Sequence, residues 1–128
     1  MDAMTKIGSI GWLDLTVDKA EDVKEFYSKV IGWKSNPVSQ GDYNDFTMHS
    51  PTDDSVQVGI CHARGGNADI PPVWMVYFHV ENIDDSLAAL AQHGGQQKGE
   101  VKNMGVDRYV LIQDPAGAHC MLYEKNSK

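Results

Sequence analysis

The stretch DLTVDKAEDVKEFYSKVIGW, residues 14–33, decides the fold because its hydrophobic period changes partway along it. Up to Val17, apolar and polar residues alternate, which is typical of a half-buried strand. After Val17 the apolar residues recur at helical spacing until Gly32 ends the pattern. Those apolar residues are Val23, Phe26, Tyr27 and Val30. The stretch therefore predicts a strand that leads directly into an amphipathic helix.

The second half of the chain repeats this plan. VWMVYFHV (73–80) alternates as a strand, and IDDSLAALAQHGG (83–95) has the helical period, with Leu87 and Leu90 facing inward. Gly32 follows Val17 by 15 residues, and Gly94 follows Val80 by 14 residues. Further strands are predicted at 42–50 and 54–62 in the first half and at 107–114 and 119–125 in the second. Two similar strand–helix–strand units are therefore expected.

We predict one α+β domain over residues 1–128, made of two duplicated modules. Module one covers about 7–62, the Gly/Pro-rich loop 63–72 is the linker, and module two covers about 73–125. The alternative is an α+β sandwich whose halves resemble each other by chance. Asp107 and Arg108 could lie at the rim of a pocket, but an ordinary exposed strand start is the favoured expectation.

The composition excludes several classes of partner. The chain has 128 residues, a net charge of −7 and no cluster of Lys or Arg, so neither nucleic acid nor an anionic membrane is expected. No apolar run approaches the ~20 residues of a membrane span, and MDAMTKIGSIGW lacks a signal-peptide core. The only cysteines, Cys61 and Cys120, have no CxxC spacing, so we expect reduced thiols and a cytoplasmic protein.

Three segments carry a resemblance to a known family. LTVDKAEDVKEFYSKVIGW, YFHVENIDDSLAALAQHGG and DRYVLIQDPAGAHCMLYE resemble the vicinal oxygen chelate superfamily, also called the glyoxalase/bleomycin resistance protein/dioxygenase family. The resemblance covers nearly the whole chain in the right order. It implies two βαβββ modules whose strands form a curled mixed sheet around a central cavity, with the helices outside. It also implies a homodimer.

The resemblance also allows a test for a metal site. Metal-dependent members of the family bind a divalent ion with four strand residues, usually His, Glu or Gln. The matching positions here are Trp12, Gly59, Met75 and Met121. An indole, a missing side chain and two thioethers are poor donors for a hard cation. We therefore expect no metal and no other cofactor, as in a non-metal, glyoxalase-like branch in which Trp replaces His.

The same strands supply the candidate ligand-binding residues on their cavity-facing sides. These are Trp12, Asp14, Gln57, Met75, Tyr77, His79, His119, Met121 and Tyr123. Together they predict an apolar and aromatic lining for a small organic molecule. Asp14 is also the candidate catalytic residue, because an inward-facing carboxylate needs a partner or a function.

Three functions remain open from the sequence. The first is a metal-free binding protein for an aromatic or cationic organic compound. The second is a metal-dependent lyase, isomerase or dioxygenase that uses displaced ligands, with Asp14, His79 and His119 as the candidate triad. The third is a structural or regulatory partner protein with no ligand. Whether the protein is an enzyme is left undecided by its residues.

Overall fold

The computed structural model describes residues 6–127. The predicted strand and helix of the opening stretch are present as β1 (Ile10–Val17) and α1 (Ala20–Val30). Three more strands follow, β2 (Lys34–Ser39), β3 (Asn44–His49) and β4 (Val56–His62). These strands are ordered β2-β3-β4-β1; the β1–β4 pair is parallel and the other two pairs are antiparallel.

The second half contains the same sequence of elements. It begins with β5 (Trp74–Val80) and α2 (Ile83–Gln92) and ends with β8 (Asp107–Gln113) and β9 (His119–Glu124). Two short strands between them, β6 (Gln96–Gln97) and β7 (Lys102–Met104), both pair with β8 in antiparallel fashion. They therefore act as one interrupted strand. The β5–β9 pair is parallel, and the β8–β9 pair is antiparallel. The α+β class and the plan of two βαβββ modules are confirmed.

The described chain forms two compact units. Leu13–Trp74 is one, and residues 75–127 together with residues 6–12 form the other. Neither helix of the described chain is long and apolar enough to cross a membrane. The single domain and the cavity expected between the modules stay predictions.

The core of the Leu13–Trp74 unit lies between α1 and its strands. Ala20, Phe46, Met48, Val58 and Ile60 form the buried cluster. Leu13 and Val17 of β1 pack against this cluster, on the side that α1 covers. The apolar stripe of α1 is narrower than its sequence suggests. Val23 and Tyr27 pack inward, whereas the side chains of Phe26 and Val30 are exposed.

The core of the second unit lies under α2. Ile83, Val110, Ile112 and Leu122 are buried together, and Leu87 and Leu90 pack against them as predicted. The side chain of Asn82 accepts a hydrogen bond from the backbone N–H of Asp85 at 2.9 Å, which caps the start of α2. Gly94 follows the helix with φ +86°, a conformation in which a side chain would be strained. The cap and the glycine fix both ends of α2 over the strands.

Candidate functional site

Four rings meet on one face of the second unit. In the sheet register, His79 lies opposite Tyr123, and Tyr123 lies opposite Tyr109, so all three side chains share a face. Tyr77 stands two residues before His79 on β5 and joins the same face. We call Tyr77, His79, Tyr109 and Tyr123 the aromatic face.

The rings of the aromatic face contact one another in preferred geometries. Tyr109 and Tyr123 are stacked, with ring centroids 6.3 Å apart and an interplanar angle of 13°. Tyr77 lies 6.3 Å from Tyr109 and 6.4 Å from Tyr123. His79 meets Tyr123 edge to face at 5.7 Å. All four side chains are only half-buried, so part of each remains accessible to solvent.

Methionines lie beside these rings. Met121 is opposite Tyr77 in the β5–β9 pair, and Met75 stands two residues before Tyr77 on β5. Each of these methionines is only 1% exposed. Their thioethers are apolar and adaptable, so they extend the apolar character of the aromatic face into the core.

A buried carboxylate fixes one ring of the aromatic face. The Tyr123 hydroxyl donates to Asp107 Oδ2 at 2.6 Å, and the backbone N–H groups of Asn126 and Ser127 donate to Asp107 Oδ1 at 2.7 Å each. The Tyr123 bond is the main cause that lowers the pKa of Asp107 to about 2. Burial, followed by the bond to Asp107, raises the pKa of Tyr123 to about 12. Tyr123 is therefore a fixed, protonated donor at neutral pH.

The expectation that Asp107 and Arg108 begin an ordinary exposed strand is wrong. Asp107 is 6% exposed, and Asn126 and Ser127 lie over it and donate to it. Arg108 Nη2 donates to Glu124 Oε1 at 2.8 Å, and the backbone N–H of Ile83 donates to the same oxygen at 2.8 Å. The bond from Arg108 is the main cause that lowers the pKa of Glu124 to about 2. Glu124 thereby ties the start of α2 to β9.

Two of the predicted site residues, Asp14 and Gln57, lie in the Leu13–Trp74 unit. Asp14 is half-buried and lies opposite Gly59 in the β1–β4 pair. Gln57 is exposed, and its Nε2 donates to Ser55 Oγ at 2.6 Å, so it is held at the start of β4. Burial, then the charges of Asp14 and Asp45, raises the pKa of Cys61 to about 12. The Cys61 thiol is therefore protonated and unreactive at neutral pH.

The face that holds Asp14 is polar. Gly59 lies opposite Thr47, and Thr47 lies opposite Asn36, which extends the row across β4, β3 and β2. The Nε2 atom of His49 is 2.8 Å from Thr47 Oγ1 and 3.1 Å from Asn36 Nδ2. These hydrogen-bonding groups come from β2 and β3, whose residues the sequence did not single out.

The residues at the family's metal positions do not fit a divalent cation. Trp12 is half-buried and offers only an N–H donor, Gly59 has no side chain, and Met75 and Met121 offer only buried thioethers. Among residues 6–127, no group of three or more His, Cys, Asp or Glu side chains is arranged to hold a metal ion. Of the proposed triad, Asp14 lies in the Leu13–Trp74 unit, whereas His79 and His119 lie in the other unit, so the triad stays a prediction.

The structure brings together Tyr77, His79 and Tyr123 of the predicted residues, with Met121 directly beside them. His119 is half-buried at the start of β9, opposite Gln113. Sequence reasoning missed Tyr109 and Asp107. The alternation of DRYVLIQ over 107–113 contains the signal for Tyr109, because it places Tyr109 on the face opposite that of the core residues Val110 and Ile112.

The two-module fold and these strand positions define the class of protein. The profile of the Glyoxalase/Bleomycin resistance protein/Dioxygenase superfamily matches residues 9–122, and the chain belongs to this superfamily. The family resemblance predicted from the sequence is thereby confirmed.

Two groups of relatives are similar over most of the chain. The Mycobacterium tuberculosis protein CFP32, whose name includes the word glyoxylase, is 28% identical over 122 residues, or 93% of this chain and 46% of its own length. The anthracycline biosynthesis protein DnrV of Streptomyces peucetius is 25% identical over 87% of this chain and 39% of its own length. The chain thus spans less than half the length of these relatives.

Solved structures agree with the fold. A variant of the Streptomyces coelicolor methylmalonyl-CoA epimerase, in complex with 2-nitronate-propionyl-CoA, superposes with a TM-score of 0.57 at 12% identity, covering 95% of this chain and all (100%) of that one. The Mycobacterium tuberculosis methylmalonyl-CoA epimerase gives 0.57 at 15% identity, covering 99% and 94%. At these identities the likeness concerns the fold alone.

Proposed function

We propose that this protein binds a small aromatic or cationic organic compound on the aromatic face, without a metal ion. The observation that carries this proposal is the cluster of Tyr77, His79, Tyr109 and Tyr123, four half-buried rings on one sheet face. Aromatic rings stack on flat ligands and attract cations, so a cluster of four such rings suits both parts of such a compound.

The surroundings of the face support an organic ligand over a metal-bound one. The neighbouring groups are the thioethers of Met75 and Met121 and the protonated phenol of Tyr123. Such groups pack well against an apolar ring and are poor ligands for a hard cation. The net charge of −7 favours a cationic compound over an anionic one. The relative named for anthracycline biosynthesis is linked by that name to a polycyclic aromatic product, which is consistent with a flat ligand.

Asp14 remains the candidate for a charged contact or a base. Its half-buried carboxylate is near enough to Cys61 to help raise the pKa of that thiol, after the larger effect of burial. Trp12, Gln57, Met75, His119 and Met121 complete the proposed binding set. We further propose that the protein acts in the cytoplasm, as its two cysteines without CxxC spacing suggest, and that it forms a homodimer, as the family resemblance implies.

A thermal-shift screen tests the proposed function. Purified protein is heated with aromatic amines, antibiotics and α-keto compounds, before and after treatment with a chelator. We expect an aromatic compound to raise the melting temperature, and we expect Tyr109→Leu to remove this rise. Tyr43→Leu is the matched control, because Tyr43 packs against His62 outside the aromatic face and should leave the rise unchanged.

The same screen separates the alternatives. A stoichiometric transition metal in the purified protein, whose removal abolishes ligand binding, would contradict the metal-free proposal and support the enzyme with displaced ligands. The absence of a shift with every compound would support the ligand-free partner protein. Loss of the shift in Tyr43→Leu as well would show that the aromatic face is not the site.

A further inference from the structure

His79 is held from several sides within the unit that contains residues 6–12 and 75–127. Its backbone carbonyl accepts a hydrogen bond from Gly8 N–H at 2.8 Å, and its backbone N–H donates to the carbonyl of Ser9 at 3.0 Å. The Tyr123 ring meets the imidazole edge to face. At Gly11 a Cβ atom would collide with His79 Nε2, so the imidazole occupies the space that a side chain at Gly11 would need. The backbone bonds fix the position of His79 on β5, and the imidazole packs beside the Tyr123 ring and Gly11.

The imidazole of His79 carries a polar atom without a partner. Among the buried side-chain nitrogen and oxygen atoms that the structure describes, His79 Nδ1 is the one without a hydrogen bond. A buried imidazole nitrogen that makes no hydrogen bond costs free energy, and proteins retain such atoms mainly where something else pairs with them. The imidazole that carries this nitrogen lies beside the Tyr123 ring of the aromatic face.

We propose that His79 Nδ1 is the hydrogen-bonding contact for an aromatic ligand bearing a hydroxyl or amino group, and that Gly11 and Asp107 are the positioning residues that aim it. This inference rests on the proposed function and adds the chemical class of the ligand. Gly11 acts by leaving room for the imidazole. Asp107 acts through Tyr123, whose ring it fixes by the hydrogen bond of 2.6 Å.

The ligand class follows from the two kinds of contact. The faces of Tyr77, Tyr109 and Tyr123 suit an aromatic ring, and His79 beside them supplies a single polar atom. A hydroxyl group either donates or accepts, so it pairs with either tautomer of the imidazole, and an amino group donates to the unprotonated nitrogen. A hydrocarbon of the same shape leaves Nδ1 unpaired. The site should therefore discriminate between aromatic compounds by their substituent.

The test compares three probes of nearly equal size, naphthol, naphthylamine and methylnaphthalene. Their affinities are measured by isothermal titration calorimetry or by fluorescence titration. We expect the wild-type protein to bind naphthol and naphthylamine roughly tenfold more tightly than methylnaphthalene, because one buried hydrogen bond separates the probes. In His79→Phe the ring remains and the nitrogen is gone, so the three affinities should converge. His93→Phe, at an exposed position after α2, is the matched control and should keep the preference.

Gly11→Ala tests the positioning role separately from folding. The Cβ atom should displace the imidazole, shift the nitrogen NMR signals of His79 and reduce the preference for naphthol, while methylnaphthalene still binds. Gly99→Ala is the control, since a Cβ there meets nothing within 4 Å. Asp107→Asn tests the positioning role of Asp107. It should reduce the preference for naphthol over methylnaphthalene, because the Tyr123 ring is then held less firmly.

The outcomes distinguish this inference from the proposed function. Binding of all three probes with equal affinity in the wild type would overturn the role of His79 and leave the aromatic face as a binding site. The same result follows if the preference survives in His79→Phe. Failure of every probe to bind would overturn this inference, and the proposed function would fall with it if no compound in the thermal-shift screen raised the melting temperature either.

Discussion

At the scale of single residues, the carboxylate of Asp107 accepts four hydrogen bonds. They come from the Tyr123 hydroxyl, the Asn126 backbone N–H, and the backbone N–H and hydroxyl of Ser127. The group is 6% exposed, so these donors replace the water that it loses on folding. Asp107 therefore connects the aromatic face to the end of the described chain, and both should depend on it.

We expect Asp107→Asn to lower the free energy of unfolding by roughly 2 to 4 kcal/mol. The Asp107 carboxylate accepts hydrogen bonds with two charged oxygens, whereas the Asn amide has only one, neutral acceptor oxygen. Urea denaturation followed by circular dichroism measures the change. Asp69→Asn, on an exposed loop residue, is the control and should change stability by less than about 0.5 kcal/mol. An equal effect of the two substitutions would show that the Asp107 bonds contribute nothing specific.

The sequence predicted which face of a strand a side chain occupies wherever apolar and polar residues alternate strictly. Alternation in VWMVYFHV and HCMLYEK placed Tyr77, His79 and Tyr123 on one strand face, and the structure brings their rings together. Asp107 could not be assigned in this way. Its burial depends on Asn126 and Ser127 folding back over it, and no local pattern in GVDRYV indicates such a tertiary contact.

At the scale of elements, Gly95 sets how closely the chain after α2 packs. A Cβ there would lie 2.8 Å from Leu90 Cδ1 and Cγ and 3.1 Å from the carbonyl oxygen of Gln113. Leu90 is part of the packing under α2, so it has little freedom to move away. The glycine therefore permits the close approach between the end of α2 and β8.

Gly95→Ala should lower the free energy of unfolding by about 1 to 3 kcal/mol through overpacking against Leu90. Thermal and urea denaturation measure this loss. Gly99→Ala has open space around its Cβ and should be neutral or slightly stabilising, because alanine reduces the entropy of the unfolded chain. A neutral Gly95→Ala would mean that Leu90 adjusts without cost.

Elements with a strong hydrophobic period were predictable, and those without one were not. β1, α1, β5 and α2 follow the strict periods that the sequence shows. β2 (KSNPVS) is mostly exposed, contains Pro37 and lies at one end of its unit's strand order, so neither alternation nor composition marks it. β6 and β7 have two and three residues and exist because β8 offers them a pairing edge. Tertiary pairing decides such strands.

At the scale of the whole molecule, the family resemblance predicted the two-module fold. The residues at the family's four metal positions, however, differ from the metal ligands that are usual there. Trp12, Gly59, Met75 and Met121 have no side chain that a hard cation prefers. The sequence was thus sufficient to predict the fold and to indicate that these four positions do not suit a hard metal cation. The proposed ligand class rests on the arrangement of the aromatic face and of His79 Nδ1, which the strand pairing determines and no local pattern in the sequence shows.

The buried carboxylates with lowered pKa values are distributed unevenly between the units. Asp107 and Glu124, both 6% exposed, lie in the unit that contains residues 75–127. In the other unit, the pKa values of Asp53 and Asp54 are lowered too, but these residues lie exposed in the turn before β4. Exposed charges are screened by solvent and contribute little to stability. Acid should therefore affect the two units differently.

The folded-state pKa values of Asp107 and Glu124, about 2 each, lie below their ordinary values of 3.8 and 4.5. Each group contributes stability above its ordinary pKa and loses that contribution as the pH falls toward its folded pKa, because only the unfolded chain then takes up the proton. Between about pH 4.5 and pH 2, native NMR signals from residues 75–127 should disappear at a higher pH than those from Leu13–Trp74. Glu124→Gln should make this loss shallower, because it removes one of the two linked protons. Simultaneous loss in both units, or earlier loss in Leu13–Trp74, would contradict this origin of the acid sensitivity.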